Sequence, residues 1–325
     1  MDNPISFLNT SSTNFESQAI EVFKYQAENI LIYKEYLERL KVQVSSIHRI
    51  SDIPFLPISF FKTHRVFHPN KIEEIVFTSS GTTGVNTSKH LLSDTKIYEA
   101  SFINAFESFF GKVSEYTILA LLPSYLERDG SSLIYMCDKL INWSGQSESG
   151  FYLHNLDELS ELLLDLERKN RKTILFGVSY ALLDLVEKHS FQLKNTIVIE
   201  TGGMKGQRKE MIKEEFYQVL KSGFGLDNIY SEYGMTELLS QAYSKGNGEY
   251  ITPNWMQISI RDVNDPFCNL ELGRSGGINI IDLANIDSCS FIATQDIGRI
   301  NSNGTFSILG RFDDSDIRGC NLLVN

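Results

Sequence analysis

The sequence predicts an α/β fold with a mostly parallel sheet flanked by helices and a smaller β-rich subdomain. Short apolar runs at 172–176 and 196–200 alternate with helical patterns of about 10–15 residues, which is typical of βαβ units. From Gly248 onward, short β-prone pieces are separated by Asn, Asp and Gly turns, which indicates an antiparallel or barrel-like part. Polar, glycine-bearing turns follow three of the strands, and ligands of parallel sheets bind at such strand ends.

Local periodicity and turn residues place the individual elements. Residues 15–41 repeat apolar side chains near every 3.6 positions and predict a helix. Residues 53–61 are apolar but contain Pro54 and Pro57, which favours an extended segment over a helix. Further helices are predicted at 94–110, 157–169, 180–189 and 207–221, and strands at 75–77, 116–122, 172–176, 196–200, 228–231, 258–261, 277–281, 291–294 and 305–309.

Composition argues against several classes of function. The 325 residues carry a net charge of −11 with scattered Lys and Arg, so neither a nucleic acid nor an anionic membrane is expected as partner. No window approaches the roughly 18 apolar residues of a membrane span, and residues 1–13 lack the regions of a signal peptide. The four cysteines are too widely spaced for a zinc site. We therefore expect a cytoplasmic protein with reduced thiols.

A loop of glycines and hydroxyls follows the first predicted strand. Its residues are Thr78, Ser79, Ser80, Gly81, Thr82, Thr83 and Gly84. Glycines allow backbone N–H groups to approach a ligand, and the hydroxyls add short donors, which suits a polyphosphate. The loop lacks the Gly-Lys-Ser/Thr ending of a Walker loop. On its own, such a run of glycines and hydroxyls is more often a flexible surface loop.

Four further fragments follow in order along the chain, and each alone has a simpler explanation as a turn or a packed aromatic. They are Thr201-Gly202-Gly203, Tyr233-Gly234-Met235-Thr236-Glu237, Thr294-Gln295-Asp296-Ile297-Gly298-Arg299 and Gly310-Arg311-Phe312-Asp313-Asp314. Together with the loop, their order and spacing resemble the adenylate-forming superfamily of acyl-CoA ligases, peptide-synthetase adenylation domains and luciferases. A narrower resemblance, carried by 123–133, 150–153 and 175–183, is to the acyl-protein synthetases of bacterial luminescence systems, the ligase component of fatty acid reductase.

The resemblance implies the large N-terminal domain of adenylate-forming enzymes, which activates a carboxylic acid with ATP. The carboxylate attacks the α-phosphate, pyrophosphate leaves and an acyl adenylate remains, so catalysis is mainly positioning and charge neutralisation. The implied roles are phosphate binding for the loop Thr78 to Gly84 and adenine stacking for Tyr233 beside Gly202, Gly203 and Gly234. Asp296 is implied to bind the ribose, and Arg311, as a catalytic residue, to add a second ribose or phosphate contact. Glu237 with Thr82 or Thr236 is implied to bind Mg²⁺.

Two departures from the superfamily stand out. The lysine expected three residues after Gly84 is Thr87 here, so the nearest candidate catalytic lysine is Lys89. The chain also ends fifteen residues after Gly310, so the mobile C-terminal lid domain is expected to be largely absent. In acyl-protein synthetases a cysteine near the C-terminus accepts the acyl group, which implies that role for Cys320. The nine residues from Arg311 to Cys320 reach about 30 Å when extended.

These observations predict four segments and leave three hypotheses open. The segments are a helical part at 1–50, a nucleotide- and acyl-binding core at 51–247, a β-rich subdomain at 248–309 and a hinge-like tail at 310–325. The first hypothesis is acid activation, with a fatty acid as the expected substrate, followed by transfer to Cys320 or to the thiol of a reductase or carrier protein. The second is an AMP-forming acyl-CoA or acyl-carrier ligase, in which Cys320 is an incidental tail residue. The third is a nucleotide-binding assembly subunit without catalysis.

Overall fold

The structure is a computed structural model that describes residues 5–79, 87–123, 130–202 and 211–312. Eight α-helices lie in these ranges, and none of them combines the length and apolarity needed to cross a bilayer. The helices are α1 (Phe15–Asn29), α2 (Leu31–Arg39), α3 (Phe60–Thr63), α4 (Thr95–Phe110), α5 (Ser132–Ser144), α6 (Leu156–Arg168), α7 (Ser179–Lys188) and α8 (Lys213–Phe224).

Fourteen β-strands lie in the same ranges. They are β1 (Leu56–Pro57), β2 (Ile75–Thr78), β3 (Lys89–Leu92), β4 (Thr117–Leu121), β5 (Gly150–Phe151), β6 (Thr173–Gly177), β7 (Thr196–Glu200), β8 (Tyr230–Tyr233), β9 (Ala242–Ser244), β10 (Glu249–Ile251), β11 (Met256–Arg261), β12 (Ser275–Asp282), β13 (Phe291–Ile300) and β14 (Phe306–Arg311).

Twelve of the strands form one sheet. Its strand order is β11-β12-β13-β14-β10-β9-β8-β7-β6-β4-β5, and β1 pairs with β13 beside this path. The strands from β8 to β5 are parallel, whereas all neighbours from β11 to β8 pair antiparallel. Strands β2 and β3 form a separate antiparallel pair. The predicted α/β fold is therefore confirmed, and its antiparallel part continues directly from the parallel strands.

The parallel strands are covered on both faces, which explains their unbroken apolar runs. All five residues of β4 are buried. Ile118 and Ala120 pack into one core with α4 and α5, whereas Leu119 and Leu121 pack into a second core with α6, α7 and α8. Because successive side chains of a strand point to opposite faces, this division follows from the two-residue period.

Several element bounds differ from those predicted. The helix expected at 15–41 is broken at Ile30, whose backbone is extended, into α1 and α2. The helix expected from 207 starts at Lys213 within the described residues. The strand expected at 228–231 is observed at Tyr230–Tyr233, because its pairing with β7 begins at Tyr230. Helix α5 and strands β3, β9 and β10 were not predicted, although Ser131 as N-cap and left-handed Gly145 mark the ends of α5.

Helix α1 is tied to the segment before β13 by the buried side chain of Gln26. The Gln26 amide donates to the carbonyl oxygens of Asn285 (2.9 Å) and Ile286 (3.0 Å). Its oxygen accepts from the backbone N–H of Ser290 at 2.9 Å. The Ile286 carbonyl oxygen and the Ser290 N–H depend on Gln26 for a partner, whereas the Asn285 carbonyl oxygen also accepts from Ser288 N–H at 3.4 Å.

Replacing Gln26 by leucine should therefore destabilise the protein. We expect Gln26→Leu to lower the free energy of unfolding by about 2–4 kcal/mol, since it leaves several buried polar groups unpaired. Urea unfolding followed by fluorescence measures this difference. The control is Gln43→Leu at an exposed site, which should change the free energy by less than about 0.5 kcal/mol. Equal effects of the two substitutions would contradict the stabilising role given to the hydrogen bonds of Gln26.

Candidate functional site

The glycine- and hydroxyl-rich loop connects the two antiparallel strands β2 and β3. Ser79 and Ser88 close its base, because Ser79 N–H donates to Ser88 O (3.1 Å) and Ser88 N–H donates to the Ser79 hydroxyl (2.9 Å). The predicted residues Ser80, Gly81, Thr82, Thr83 and Gly84 lie outside the described residues. Lys89 is exposed and pairs with Thr78 in register, so it flanks the base of this loop.

A second segment joins the loop through Gly130. Thr78 N–H donates to Gly130 O at 2.7 Å. A Cβ atom at Gly130 would lie 2.9 Å from the Thr78 hydroxyl oxygen, and its φ of +78° is in the left-handed region. Both observations require glycine. Gly130 itself is thereby held beside the base of the predicted phosphate loop.

The turn after β7 also depends on glycine. Gly202 has a φ of +80°, and its N–H donates to the Glu200 carboxylate at 2.7 Å. Its carbonyl oxygen accepts from Ser179 N–H at the start of α7 (2.9 Å). Gly203 lies outside the described residues. The turn is thus fixed at the carboxyl end of the parallel strands, where the sequence placed it.

The antiparallel strands curl so that Tyr233 of β8 reaches Asp296 of β13. The Tyr233 hydroxyl donates to the Asp296 carboxylate at 2.7 Å. Four strand spacings separate the two strands in the sheet order, about 19 Å in a flat sheet, which a tyrosine side chain cannot span. Tyr250 and Phe306 fill the inside of the curve and pack against the Tyr233 ring with centroids 5.9 and 5.5 Å away. The Tyr233 ring is only 8% exposed as a result.

Arg311 joins the same group. It pairs with Asp296 across β13 and β14, and its Nε lies 3.8 Å from the carboxylate oxygen that Tyr233 does not bind. Its Nη2 donates to the Gln295 side chain at 3.4 Å. Three residues predicted to bind the adenosine part of ATP therefore meet at one place. Burial, and then the charge of Asp296, raises the pKa of Tyr233, which keeps its hydroxyl proton available for donation.

Glu237 lies on the turn that follows β8 and is 6% exposed. Burial raises its pKa, while a hydrogen bond from Ser88 and the charges of Arg311 and Lys62 oppose this rise. The described residues contain no cluster of three or more His, Cys, Asp or Glu. Mg²⁺ held with a nucleotide needs only one or two carboxylates beside phosphates and water, so Glu237 fits such an ion. Its predicted companion Thr82 lies outside the described residues.

His90 of β3 contacts the turn that follows β8, and the sequence did not identify it as a site residue. Its Nδ1 lies 2.8 Å from the Thr236 carbonyl oxygen, and its Nε2 lies 2.8 Å from the Asn285 Oδ1. A neutral ring donates to one of these oxygens, and only a charged ring donates to both. Burial lowers the pKa of His90 to about 4, which favours the neutral ring. The only signal in the sequence was a histidine among apolar neighbours.

Asp282 was also missed, because nothing local distinguishes it. Its carboxylate is fully buried and accepts from Leu239 N–H (2.8 Å), Ser240 N–H (3.0 Å), the Ser240 hydroxyl (2.6 Å) and Ala284 N–H (3.2 Å). Burial raises the pKa of Asp282, and these hydrogen bonds oppose the rise. Asp282 thus fixes the chain directly after Glu237.

Arg261 is a buried cation near Asp296. It donates to the carbonyl oxygens of Ile278 (2.7 Å) and Thr294 (2.5 Å), where the pairing of β12 and β13 is irregular. Its guanidinium carbon lies 5.8 Å from the centre of the Phe312 ring. Burial lowers the pKa of Arg261, and Asp296 opposes this effect. The arrangement holds the strand that carries Asp296.

Cys320 lies outside the described residues, so the structure places no atom of it. Of the cysteines in the described part of the chain, Cys137 and Cys289 are buried and Cys268 is exposed. Burial raises the pKa of the Cys137 and Cys289 thiols, so neither is a reactive thiolate.

The buried His90 predicts a dependence of stability on pH. Its pKa is lower in the folded state than the ordinary value of 6.5, so unfolded chains bind the proton first. The free energy of unfolding should fall as the pH drops from about 6.5 to 4 and be fully restored above 6.5. Between pH 7.5 and 4.5 we expect this change to be about 2–3 kcal/mol smaller in His90→Gln than in the wild type. The exposed His48→Gln is the control. An unchanged dependence in His90→Gln would contradict the lowered pKa, because it would mean that the pKa of His90 is the same in the folded and unfolded states.

Comparison with solved structures shows that the fold is shared with several ligases of low sequence identity. One similar structure is ATP-bound MatB from Rhodopseudomonas palustris, with a TM-score of 0.53 and 18% identity over 73% of this chain and 47% of that chain. Another is a long-chain-fatty-acid-CoA ligase, FadD1, from Archaeoglobus fulgidus, with a TM-score of 0.54 and 16% identity over 75% of this chain and 52% of that chain. A 2-hydroxyisobutyryl-CoA ligase in complex with 2-HIB-AMP and CoA is also similar (0.67, 12%, 94% and 72%). The chain spans about half the length of the first two.

Sequence comparison gives the family. No curated protein matches the chain in sequence. The family model described as acyl-protein synthetase, LuxE, matches residues 148–325, which is more than half of the chain. The match includes the turn after β7, which carries Gly202, and the strands β8, β13 and β14, which carry Tyr233, Asp296 and Arg311. The chain therefore belongs to the acyl-protein synthetase family, LuxE.

Proposed function

We propose that the protein activates a carboxylic acid with ATP and passes the acyl group to a thiol. The observation that carries the proposal is the contact of Tyr233 with the cross-strand pair Asp296 and Arg311, because β8 and β13 are not neighbours in the sheet. An ionised carboxylate accepts hydrogen bonds from two ribose hydroxyls, and a guanidinium binds ribose or phosphate oxygens. Family membership supports the same reaction.

In this mechanism the acid carboxylate attacks the α-phosphorus of ATP, the bond to the β-phosphate oxygen breaks, and pyrophosphate leaves. Two anions must meet, so the residues of the chain mainly hold them in line. Asp296 and Arg311 fix the adenosine end, and the loop closed by Ser79 and Ser88 binds the leaving phosphates. Mg²⁺ at Glu237 would neutralise phosphate charge. The exposed Lys89 is positioned to add a cation at the loop.

The acceptor in this proposal is Cys320, from which the acyl group passes to a reductase or carrier protein. Cys320 lies within the residues that match the family model. The substrate we propose is an acid with an acyl chain, and the location is the cytoplasm, where ATP is present and thiols stay reduced. Transfer to CoA or a carrier without Cys320 is the competing function, and the structures of CoA ligases with the same fold favour it.

The first test is exchange of labelled pyrophosphate into ATP with a panel of fatty acids. We expect Asp296→Ala to lower kcat/KM for ATP about 100-fold, because charged hydrogen bonds to ribose are lost. Tyr233→Phe should lower kcat/KM less, about 10-fold, because it removes only the hydrogen bond that orients the Asp296 carboxylate. Asp227→Ala at an exposed site is the control. Normal exchange in Asp296→Ala would refute the proposed nucleotide site.

The second test separates the two acceptors. We expect Cys320→Ser to retain pyrophosphate exchange, since the adenylate forms without it, but to lose hydroxylamine-sensitive acyl labelling of the protein. The control is Cys268→Ser, which removes an exposed thiol at another position of the chain. Labelling is followed with a radioactive fatty acid. Should Cys320→Ser form acyl-CoA at the normal rate, the ligase that uses CoA directly would be the correct function.

A further inference from the structure

Helix α3 begins at the part of the sheet that carries Asp296. Strand β1 runs parallel to β13, with Pro57 paired to Ala293. Ile58 N–H continues this pairing, because it donates to the Ala293 carbonyl oxygen at 2.9 Å. Phe60, the first residue of α3, follows Pro57 by three residues, and Asp296 follows Ala293 by three residues. Since parallel strands advance together, α3 starts beside Asp296.

Helix α3 also packs against β3, the strand that follows the phosphate loop. Phe61 is 1% exposed, and its ring meets the His90 ring edge to face, with the ring centroids 5.7 Å apart. His90 in turn lies 2.8 Å from the carbonyl oxygen of Thr236. Lys62 follows Phe61 directly, so it belongs to a helix that is held between β13 and the turn after β8.

The Lys62 side chain is exposed, and its charge acts on the same carboxyl group as that of Arg311. Burial raises the pKa of Glu237, and both cations oppose this rise. The effect of an exposed charge is screened beyond about 10 Å at ordinary salt, so the Lys62 ammonium lies near Glu237. Among the residues that the structure describes, Lys62 forms no salt bridge. Its ammonium donors can therefore reach a ligand.

Lys89, the lysine at the base of the phosphate loop, points to the other side of β3. Lys89 and His90 are successive residues of this strand, and successive side chains of a strand point to opposite faces. The His90 ring faces the turn after β8, so Lys89 faces away from that turn. Of these two lysines, Lys62 is the one on the side of Glu237.

The covalent structure of ATP determines which phosphate would meet Lys62. In the proposed function the ribose binds at Asp296, and the Mg²⁺ that accompanies the leaving phosphates binds at Glu237. The α-phosphate joins these two parts of the nucleotide, so it lies between Asp296 and Glu237, where α3 is held. An ammonium group forms strong charged hydrogen bonds with phosphate oxygens.

We propose that Lys62 is a further catalytic residue, which binds a non-bridging oxygen of the α-phosphate of ATP. The inference deepens the proposed function and rests on it. When the acid attacks, its carboxylate oxygen forms a bond to the α-phosphorus, and the bond from this phosphorus to the oxygen of pyrophosphate breaks. The Lys62 ammonium keeps its proton throughout and stabilises the negative charge on the α-phosphate oxygens in the transition state.

The first test is the rate of pyrophosphate exchange in variants of Lys62. We expect Lys62→Met to lower kcat about 100-fold and to raise the KM for ATP only about 5-fold, because the contact is strongest in the transition state. Lys62→Arg should restore kcat to within about 10-fold of the wild type, since a guanidinium also donates to phosphate oxygens. Lys24→Met, at an exposed site of α1, is the control. Normal kcat in Lys62→Met would overturn the inference.

Unfolding in urea separates this role from a structural one. Because Lys62 is exposed and forms no salt bridge among the described residues, Lys62→Met should keep the urea midpoint of the wild type. A midpoint lowered in proportion to the loss of kcat, with no recovery in Lys62→Arg, would overturn the catalytic assignment.

Binding without turnover keeps the two proposals separate. Calorimetry compares adenosine with AMP, which adds only the α-phosphate. We expect Lys62→Met to weaken AMP binding about 5-fold and to leave adenosine binding unchanged, since the lost hydrogen bonds go to the phosphate. Equal AMP affinity in Lys62→Met and the wild type, or a loss found only in Lys89→Met, would overturn the inference.

The wild type itself distinguishes the remaining outcomes. Absence of exchange with every acid would refute the proposed activation, whereas weaker AMP binding in Lys62→Met would still support the phosphate contact. A wild type that does not bind AMP more tightly than adenosine would overturn the contact, even if exchange is observed.

Discussion

The structure of the candidate site depends on one buried carboxylate, that of Asp282. A buried charge is tolerated only where hydrogen bonds replace its lost hydration, and Asp282 obtains them from the backbone directly after Glu237. The Ser240 hydroxyl, which donates to Asp282, also accepts from Trp255 Nε1 at 2.9 Å. Trp255 Nε1 also lies 3.1 Å from Ser101 on α4, so the turn after β8 is joined to the helix that covers the sheet. This network therefore holds the turn after β8 against α4.

The second constraint is the curvature of the antiparallel strands. Tyr233 and Asp296 are far apart in sheet order, and only a curled sheet brings them together. Aromatic rings fill the concave side, and Arg261 holds the irregular pairing of β12 and β13 by binding backbone carbonyl oxygens. An arginine is suited to this place because its planar group donates to several acceptors at once and stays charged when buried.

Sequence patterns predicted the features that depend on residues close together in the chain. The parallel strands follow from their apolar runs, the order of the motifs follows from turn residues, and both agree with the structure. The contacts that bind the parts together were not predictable, because Gln26 and Asn285 are 259 positions apart and no local pattern links them. His90 and Asp282 are likewise defined by partners from other elements. The curvature of the sheet was predicted only as an antiparallel or barrel-like part from Gly248 onward, because strand propensity does not specify how far a sheet bends.

The anchoring of Phe312 has a kinetic consequence for whatever follows it. Its N–H donates to Gln295 O at 2.8 Å, beside Asp296, so the last described residue lies at the candidate site itself. Any group on the eight residues from Phe312 to Cys320 is thereby confined to a sphere of about 26 Å radius centred there. A short tether of this kind gives an effective concentration in the millimolar range. Capture of a reactive intermediate by such a tethered group is unimolecular, and its rate is independent of how dilute the protein is.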